Sequence, residues 1–306
     1  MDEIQAAAEA LRRGKLVLMP TETVYGLAAN AADSAAVAGV FQAKGRPSFN
    51  PLIAHVADLA AATRVADLDA RAVALAKAFW PGPLTIVAPA LPGGPVCDLA
   101  RAGLDSVAVR APAHPVAQAL LKAFGGPLCA PSANRSGRPS PTTLTDAIAE
   151  TGFAAAAALE GGPCAVGVES TVVSVMDGTV RLLRPGGLAR ERIEVVVGRL
   201  TEAENDAMRS PGRLVRHYAP QSKLRLDAQA PLPGEAYLAF GPWPEGPMVF
   251  NLSPASDLNE AAQRLFSTLR AADSLAPLAI AVAPIPGWGL GEAINDRLRR
   301  AAGFIG

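Results

Sequence analysis

The segment KGRPSFNPLIAH, residues 44–55, concentrates cationic and hydrogen-bonding side chains around one glycine and two prolines. Lys44 and Arg46 stand two residues apart, and no Asp or Glu occurs between positions 34 and 57. Lysine and arginine without an acidic neighbour can make charge-assisted hydrogen bonds to an anion. The segment therefore predicts a local anion-binding site.

Several other loops follow apolar runs and are rich in hydroxyl residues and arginine. They are PTETVYGL (20–27), SVAVRAP (106–112), APSANRSGRPSPTT (130–143), GVESTVV (167–173) and LLRPGG (182–187). Each residue alone has an ordinary explanation, such as a turn, a core histidine or an ion pair. Together the loops predict a cleft for a polyanion such as a nucleoside triphosphate, with four cations that lack paired acids: Lys44, Arg46, Arg110 and Arg184. No Ser-His or Cys-His nucleophile pattern is visible, which favours phosphoryl or nucleotidyl transfer by positioning and electrostatics.

Short β-like runs that alternate with Ala-rich stretches must position these loops. Asp2 and Asp33 are placed to cap two helices, which Gly14 and Gly45 would end. Strands are predicted for KLVLM, LIAHV, LTIVA, SVAVR, PLCA, STVVSV and VRLL, and further helices near 69–79, 115–124 and 143–150. The pattern predicts a mixed α/β domain over residues 1–200.

Residues 201–223 are polar and lack an amphipathic period, which is typical of a linker. After them, AYLAF, MVFNL and PLAIAV predict strands, with helices near 256–272 and 290–302. We therefore predict a smaller second α/β domain over residues 224–306.

Composition narrows the function classes. Half of the 306 residues are apolar and 18% are charged, which predicts a folded chain. Because 28 Lys and Arg balance 28 Asp and Glu, broad nonspecific contact with nucleic acid is disfavoured. The three cysteines and three histidines form no ligand pattern, so we predict no protein-built metal site. No apolar run approaches the about 20 residues that span a bilayer, and the acidic N-terminus is unlike a signal peptide. We predict a soluble, cytoplasmic protein that does not bind a membrane.

Five motifs resemble, in order, the YrdC-type domain of threonylcarbamoyl-AMP synthases: PTETVYGL, KGRPSFNPLIAH, FWPGPLTIV, APSANRSGRPSPTT and ESTVV. SPGRLVRHYAP and NDRLRRAA are similar to the long, two-domain form. The similarity covers nearly the whole chain and is weaker between about residues 224 and 250. The resemblance implies a YrdC-like mixed-sheet N-terminal domain followed by a smaller, Rossmann-like α/β domain.

The resemblance also implies an activity. Members of this family are nucleotidyltransferases that join L-threonine, bicarbonate and ATP into threonylcarbamoyl-AMP and release pyrophosphate. A partner complex then transfers the threonylcarbamoyl group to tRNA. Mg²⁺ is expected to arrive on ATP, and weak RNA binding is possible for such a domain.

Position by position, the resemblance assigns threonine binding to Thr23, His55, Arg110, Ala130 and Ser170. It assigns nucleotide binding to Arg46, Asn50, Ser106, Ser132, Ser140, Arg184 and Tyr218. Lys44 is expected beside the phosphates, and Lys44 and Arg46 are the expected catalytic residues. The linker is expected to fold over the nucleotide as a lid, in which Pro211 and Pro220 stiffen the ends, Gly212 bends, and Arg213, Arg216 and His217 approach the phosphates.

Two other function classes stay open from the residues alone. One is a carbamoyltransferase that uses a carbamoyl-adenylate, although such proteins carry additional segments, including zinc fingers for which this chain lacks the cysteines. The other is a noncatalytic RNA-binding module, against which the balanced charge and the few aromatic residues count.

Overall fold

The computed structural model describes residues 2–202 and 217–303, which build two β-sheets with their own helices. The larger sheet contains β1 Leu16–Met19, β2 Gly26–Asn30, β3 Ile53–His55, β4 Leu84–Pro89, β5 Ser106–Arg110, β6 Leu128–Cys129, β7 Ala155–Ala158, β8 Thr171–Ser174, β9 Arg181–Arg184 and β10 Thr201–Glu202. Its helices are α1 Glu3–Arg12, α2 Ser34–Lys44, α3 Leu59–Ala62, α4 Ala70–Phe79, α5 Asp98–Arg101, α6 Pro115–Phe124, α7 Leu144–Thr151 and α8 Arg190–Val197.

The larger sheet is mixed, as predicted. Its strand order is β10-β9-β8-β4-β5-β3-β6-β2-β1-β7. β3 runs parallel to β5 and β4 runs parallel to β8, whereas β4 and β5 are antiparallel. β3 and β5 are parallel and in register. Their last residues, His55 and Arg110, therefore lie side by side at the carboxyl ends of the two strands.

Local capping explains where the first helices begin and end. The Asp33 carboxylate accepts hydrogen bonds from the backbone N–H groups of Ala35 and Ala36 and starts α2. Gly45 ends α2 with φ of 58°, a left-handed conformation that suits glycine. Asp2 caps α1 in the same way as Asp33 caps α2. The two predicted capping aspartates are confirmed, and the turn at Gly45 directs the following segment toward the strand ends.

The second sheet contains β11 Leu224–Arg225, β12 Glu235–Ala239, β13 Val249–Asn251 and β14 Ala279–Val282, in the order β11-β14-β12-β13. All of its neighbouring strands are parallel. The helices α9 Leu258–Ser274 and α10 Leu290–Ala302 accompany it, which confirms the predicted second α/β unit. A parallel sheet with crossover helices is the arrangement that Rossmann-like domains share.

The two units pack against each other through a shared apolar cluster and an ion pair. Val24 and Val168 of the first unit belong to the same buried cluster as Phe266 on α9. Arg190 on α8 pairs with Glu292 on α10 at 2.6 Å. The second unit therefore packs directly against part of the first.

Some strands could not be predicted from the sequence. GLAAN and AAAA form β2 and β7 because each pairs with β1, although alanine and glycine favour strands weakly. Thr201 and Glu202, which the sequence assigns to the linker, form β10 beside β9. The domain limits 1–200, 201–223 and 224–306 stay predictions, and most of the linker lies outside the described residues. No described helix has both the length and the apolar character needed to cross a membrane.

Candidate active site

A cavity opens where the carboxyl ends of β3, β5 and β9 meet in the larger sheet. All six loops singled out from the sequence contribute to its lining, and so does the last part of the linker: Thr23, Val24, Arg46, Pro51, Leu52, Ile53, His55, Arg110, Ala130, Pro131, Ser132, Glu169, Ser170, Arg184, His217 and Tyr218.

Most of the predicted site residues lie at this cavity. The structure brings there Thr23, His55, Arg110, Ala130 and Ser170 of the threonine set. Of the nucleotide set it brings there Arg46, Ser132, Arg184 and Tyr218. It does not place Lys44, Asn50, Ser106 or Ser140 on the cavity lining. The role of each residue stays a prediction.

Arg110 is held from three sides. Its Nε donates to the Gly82 carbonyl at 3.1 Å, Nη1 donates to Thr23 Oγ1 at 2.9 Å, and Nη2 pairs with Glu22 Oε1 at 2.5 Å. The other Glu22 oxygen accepts from the Ala113 N–H at 3.0 Å. Among contacts within the described residues, one N–H on each terminal nitrogen of Arg110 is left over, which matches the two oxygens of a substrate carboxylate.

The expectation that four cations lack paired acids is therefore wrong for Arg110. Its partner Glu22 comes from 88 residues earlier in the chain, so a search for acids near Arg110 in the sequence could not find it. Both side chains are buried, with 4% and 11% of their surface exposed. The pair fixes the guanidinium before any ligand binds.

The hydroxyl of Thr23 has a defined role in this network. Thr21 Oγ1 donates its proton to the Val24 carbonyl at 2.6 Å, so the 2.8 Å contact between the Thr21 and Thr23 hydroxyls uses the proton of Thr23. Thr23 also accepts a hydrogen bond from Arg110. Its remaining capacity is as an acceptor, which suits a ligand hydroxyl or amine.

His55 is a neutral ring beside this network. Burial, reinforced by the Arg110 charge, lowers the pKa of His55 to about 3. Its Nδ1 lies 3.2 Å from the Ile53 carbonyl oxygen, which can only accept, so Nδ1 carries the proton and Nε2 is an acceptor. Ser170 completes this side of the cavity, with its Oγ 2.8 Å from Thr85 Oγ1.

Arg46 and Arg184 supply positive charge to the cavity. Arg46 Nη2 donates to the Pro51 carbonyl at 3.1 Å, and its Nε donates to the Asn50 carbonyl at 3.4 Å. Asn50 therefore supports Arg46 through its backbone. Arg184 Nη2 donates to the Ser170 carbonyl at 2.8 Å and to Ser170 Oγ at 3.3 Å. Burial, with a further contribution from Arg184, lowers the pKa of Arg46 to about 10, so Arg46 stays charged at neutral pH.

Lys44 joins two loops of the site. It is only 3% exposed, and its ammonium donates to the backbone carbonyls of Ser132 and Asn134. Burial and the nearby Arg46 charge lower the pKa of Lys44 well below its ordinary value. Its contacts tie the KGRP segment to the APSANR loop, so in the structure Lys44 positions the wall of the cavity rather than lining it.

Glu169, in the ESTVV motif, carries a second network that the sequence did not reveal. Its Oε1 accepts from the Ser140 hydroxyl, and its Oε2 accepts from Arg297 Nε at 2.7 Å. Ser140, expected at the nucleotide, therefore contacts Glu169 instead. Ser106 opens β5, four residues before Arg110, and is buried there. An acid inside a loop of small and hydroxyl residues, as at Glu22 and Glu169, is a sequence signal for a buried acid, but it does not identify the partner.

Tyr218, near the end of the linker, lines the cavity. Its ring is buried, with centroids 4.1 Å from the His217 ring and 5.6 Å from the Phe266 ring. The next residue, Ala219, donates its N–H to the Gly137 carbonyl at 2.7 Å. The described end of the linker thus packs against the cavity, as a lid requires. Pro211, Gly212, Arg213 and Arg216 lie outside the described residues.

Metal ligands are scarce in this site. Within residues 2–202 and 217–303, no group of three or more His, Cys, Asp or Glu side chains could hold a metal ion. Of the described residues that line the cavity, Glu169 is the one acid, and both of its oxygens accept hydrogen bonds from protein groups. These residues do not fit a metal site built by the protein.

Comparison with known families agrees with this architecture. Residues 9–186 match the family model Sua5_yciO_yrdC, described as "Telomere recombination". Residues 188–303 match the model described as "Threonylcarbamoyl-AMP synthase, C-terminal domain". The fold and the site therefore define a two-domain protein of the YrdC class.

Individual relatives narrow this class. The threonylcarbamoyl-AMP synthase of Bacillus subtilis is 38% identical, over 98% of this chain and 93% of its own length. That of Pyrococcus abyssi is 38% identical, over 99% of this chain and 94% of its own length. The crystal structure of P. abyssi Sua5 complexed with L-threonine has a TM-score of 0.91 and 37% identity, and covers 99% of this chain and 96% of that one. This chain belongs to the threonylcarbamoyl-AMP synthase family.

Proposed function

We propose that this chain joins L-threonine, bicarbonate and ATP into threonylcarbamoyl-AMP and releases pyrophosphate. The observation that carries the proposal is that one cavity brings together two sets of side chains, which we call its threonine side and its nucleotide side. Arg110 and Thr23 hold hydrogen-bonding groups for a small amino acid, and Arg46 and Arg184 hold positive charge for phosphates. Membership of the family supports this reading over a noncatalytic RNA-binding module.

The threonine side would bind the amino acid by its charged and polar atoms. The two remaining N–H groups of Arg110 match the carboxylate. The remaining acceptor site of Thr23 Oγ1 and the Nε2 of neutral His55 can each accept a hydrogen bond from the substrate hydroxyl or nitrogen. This arrangement selects an amino acid that can fill all of these bonds at once.

The nucleotide side would work by neutralising charge. The nitrogen of the uncharged threonine amine forms a bond to the bicarbonate carbon, a C–O bond of bicarbonate breaks, and its hydroxyl leaves as water with a proton from the nitrogen. The product is a carbamate, whose oxygen is already an anionic nucleophile. That oxygen forms a bond to the α-phosphorus of ATP, the bond from the α-phosphorus to the bridging oxygen breaks, and pyrophosphate leaves with the electron pair. Arg46 and Arg184 would stabilise the negative charge that accumulates on the phosphates. No general base is needed for this step, which agrees with the low pKa of His55.

Magnesium is proposed to enter as a complex with the triphosphate, where it screens phosphate charge. The product is a mixed anhydride that water destroys, so covering the cavity has a chemical purpose. Tyr218 and His217 line the cavity, and we propose that they contribute to that cover. We further propose that the product passes in the cytoplasm to a transferase complex that acts on tRNA.

A pyrophosphate-release assay tests the proposal. The chain is incubated with ATP, Mg²⁺ and bicarbonate, with and without L-threonine. We expect release that depends on threonine. Release supported by carbamoyl phosphate without threonine would instead identify a carbamoyl-adenylate enzyme, and no release under any condition would favour a binding module.

A further inference from the structure

Arg297 lies on α10 in the second domain, yet it contacts residues that line the cavity of the first. Its side chain is only 1% exposed. Its Nε donates to Glu169 Oε2 at 2.7 Å, and its guanidinium carbon lies 5.1 Å from the centre of the Tyr218 ring. Its Nη1 pairs with Asp296 at 2.5 Å. Arg297 thus contacts both Glu169, the acidic residue of the cavity, and Tyr218, the aromatic residue of the linker.

Glu169 poses an electrostatic problem for a site that binds phosphates. Burial alone raises the pKa of its carboxyl, but Arg297 and then Arg184 more than offset this and hold that pKa below its ordinary value. Glu169 is therefore a carboxylate at neutral pH. An uncompensated carboxylate at this place would repel a triphosphate or attract Arg184, which now donates to Ser170.

We propose that Arg297 is a positioning residue of the nucleotide site, which pairs with Glu169 so that Arg184 stays on Ser170 and Tyr218 stays against the cavity. The inference rests on the proposed function and adds a purpose for the second domain. That domain completes the site of the first through α10. A free first domain would have Glu169 in the cavity without its main counter-ion.

A second ion pair between the domains provides a matched control. Arg190 and Glu292 meet at 2.6 Å, with side chains 25% and 28% exposed, and neither lines the cavity. Replacing Arg190 removes an interdomain pair without changing the charge around Glu169. An effect that Arg297→Met shares with Arg190→Met would therefore belong to domain packing.

The experiment measures ATP affinity by titration calorimetry and the KM values for ATP and threonine in the full chain, together with thermal stability. The variants are Arg297→Met, Arg297→Lys, Arg190→Met and the double variant Glu169→Gln with Arg297→Met. We expect Arg297→Met to weaken ATP binding by about tenfold or more, with threonine KM within about twofold of the wild type. The double variant should recover most of the ATP affinity, because it removes the charge that Arg297 compensates. The ATP affinity of Arg297→Lys should lie between those of Arg297→Met and the wild type. Arg190→Met should bind ATP as the wild type does.

Three results would overturn the proposal: unchanged ATP affinity in Arg297→Met, an equal loss of ATP affinity in Arg190→Met, or a double variant that binds ATP no better than the single one. If Arg297→Met does not fold, the decision rests on the double variant, which must fold and bind ATP within about threefold of the wild type. The proposed function fails separately, if the wild type binds ATP but makes no threonine-dependent pyrophosphate.

Discussion

Arg46 lines the cavity, and its guanidinium is aimed by the carbonyls of Asn50 and Pro51. A charge-assisted contact to phosphate contributes about 2 kcal/mol, so Arg46→Ala should weaken ATP binding about thirtyfold. Threonine affinity should change by less than about twofold, since the threonine side does not depend on Arg46. Calorimetric titration with each ligand measures both. Arg64→Ala, at an exposed arginine, is the control; equal ATP affinity in both variants would refute the polyanion role.

The hydroxyl network around Thr23 predicts which amino acid is used. Valine has the shape of threonine without its hydroxyl, so it would leave a buried hydrogen-bonding group of the site unsatisfied. We expect its kcat/KM in pyrophosphate release to be lower by about a hundredfold or more. Serine, which keeps the hydroxyl and loses a methyl group, is the matched comparison. Similar rates with valine and threonine would show that the threonine assignment is mistaken.

At the scale of elements, Tyr218 ties the linker to the second domain. Its ring packs between His217, Phe266 and Arg297. Tyr218→Ala should lower the free energy of unfolding by about 3 kcal/mol or more and should reduce product formation, because the cavity loses part of its cover. Tyr218→Phe keeps the ring and should retain most of the stability. Urea unfolding and product formation measure the two effects, and full activity of Tyr218→Ala would reduce this segment to a tether.

The sequence predicts the elements well where local chemistry decides. The aspartates that cap α1 and α2 and the apolar runs of β4 and β8 are visible in the sequence, and the structure confirms them. β7 could not be predicted, since four alanines become a strand only by pairing with β1.

The candidate site also has a part that can be predicted from the sequence and a part that cannot. Its loops could be predicted because cations and hydroxyls cluster in short segments at strand ends. Glu22 and Arg297 could not, since their roles depend on partners far away in the chain. Long-range ion pairs are a property of the fold, and periodicity or spacing does not encode them.

For the whole molecule, two buried histidines predict how stability depends on pH. Burial, aided by the Arg110 charge at His55 and the Arg46 charge at His217, lowers the pKa of each to about 3. Unfolded histidine titrates near pH 6.5, so between pH 6.5 and 3 the unfolded chain binds more protons than the folded one. The stability that these residues contribute is therefore complete above about pH 6.5 and declines as the pH falls.

From pH 7 to pH 5, each histidine should lower the free energy of unfolding by about 2 kcal/mol. Urea unfolding at both pH values should show this loss for the wild type, and His217→Gln should lose about 2 kcal/mol less than the wild type over the same interval. The comparison uses the pH dependence of each protein, so a change in overall stability of the variant does not affect it. An equal pH dependence in both proteins would contradict the buried, neutral state of His217.

The central claim is that one cavity joins threonine, bicarbonate and ATP. Mass spectrometry of the product made from ¹³C-bicarbonate tests it most directly, with pyrophosphate measured in the same reaction. We predict threonylcarbamoyl-AMP that carries one labelled carbon, formed in equal amount to pyrophosphate and absent without threonine. Pyrophosphate released at the same rate without threonine, or an adenylate without the labelled carbon, would contradict the account.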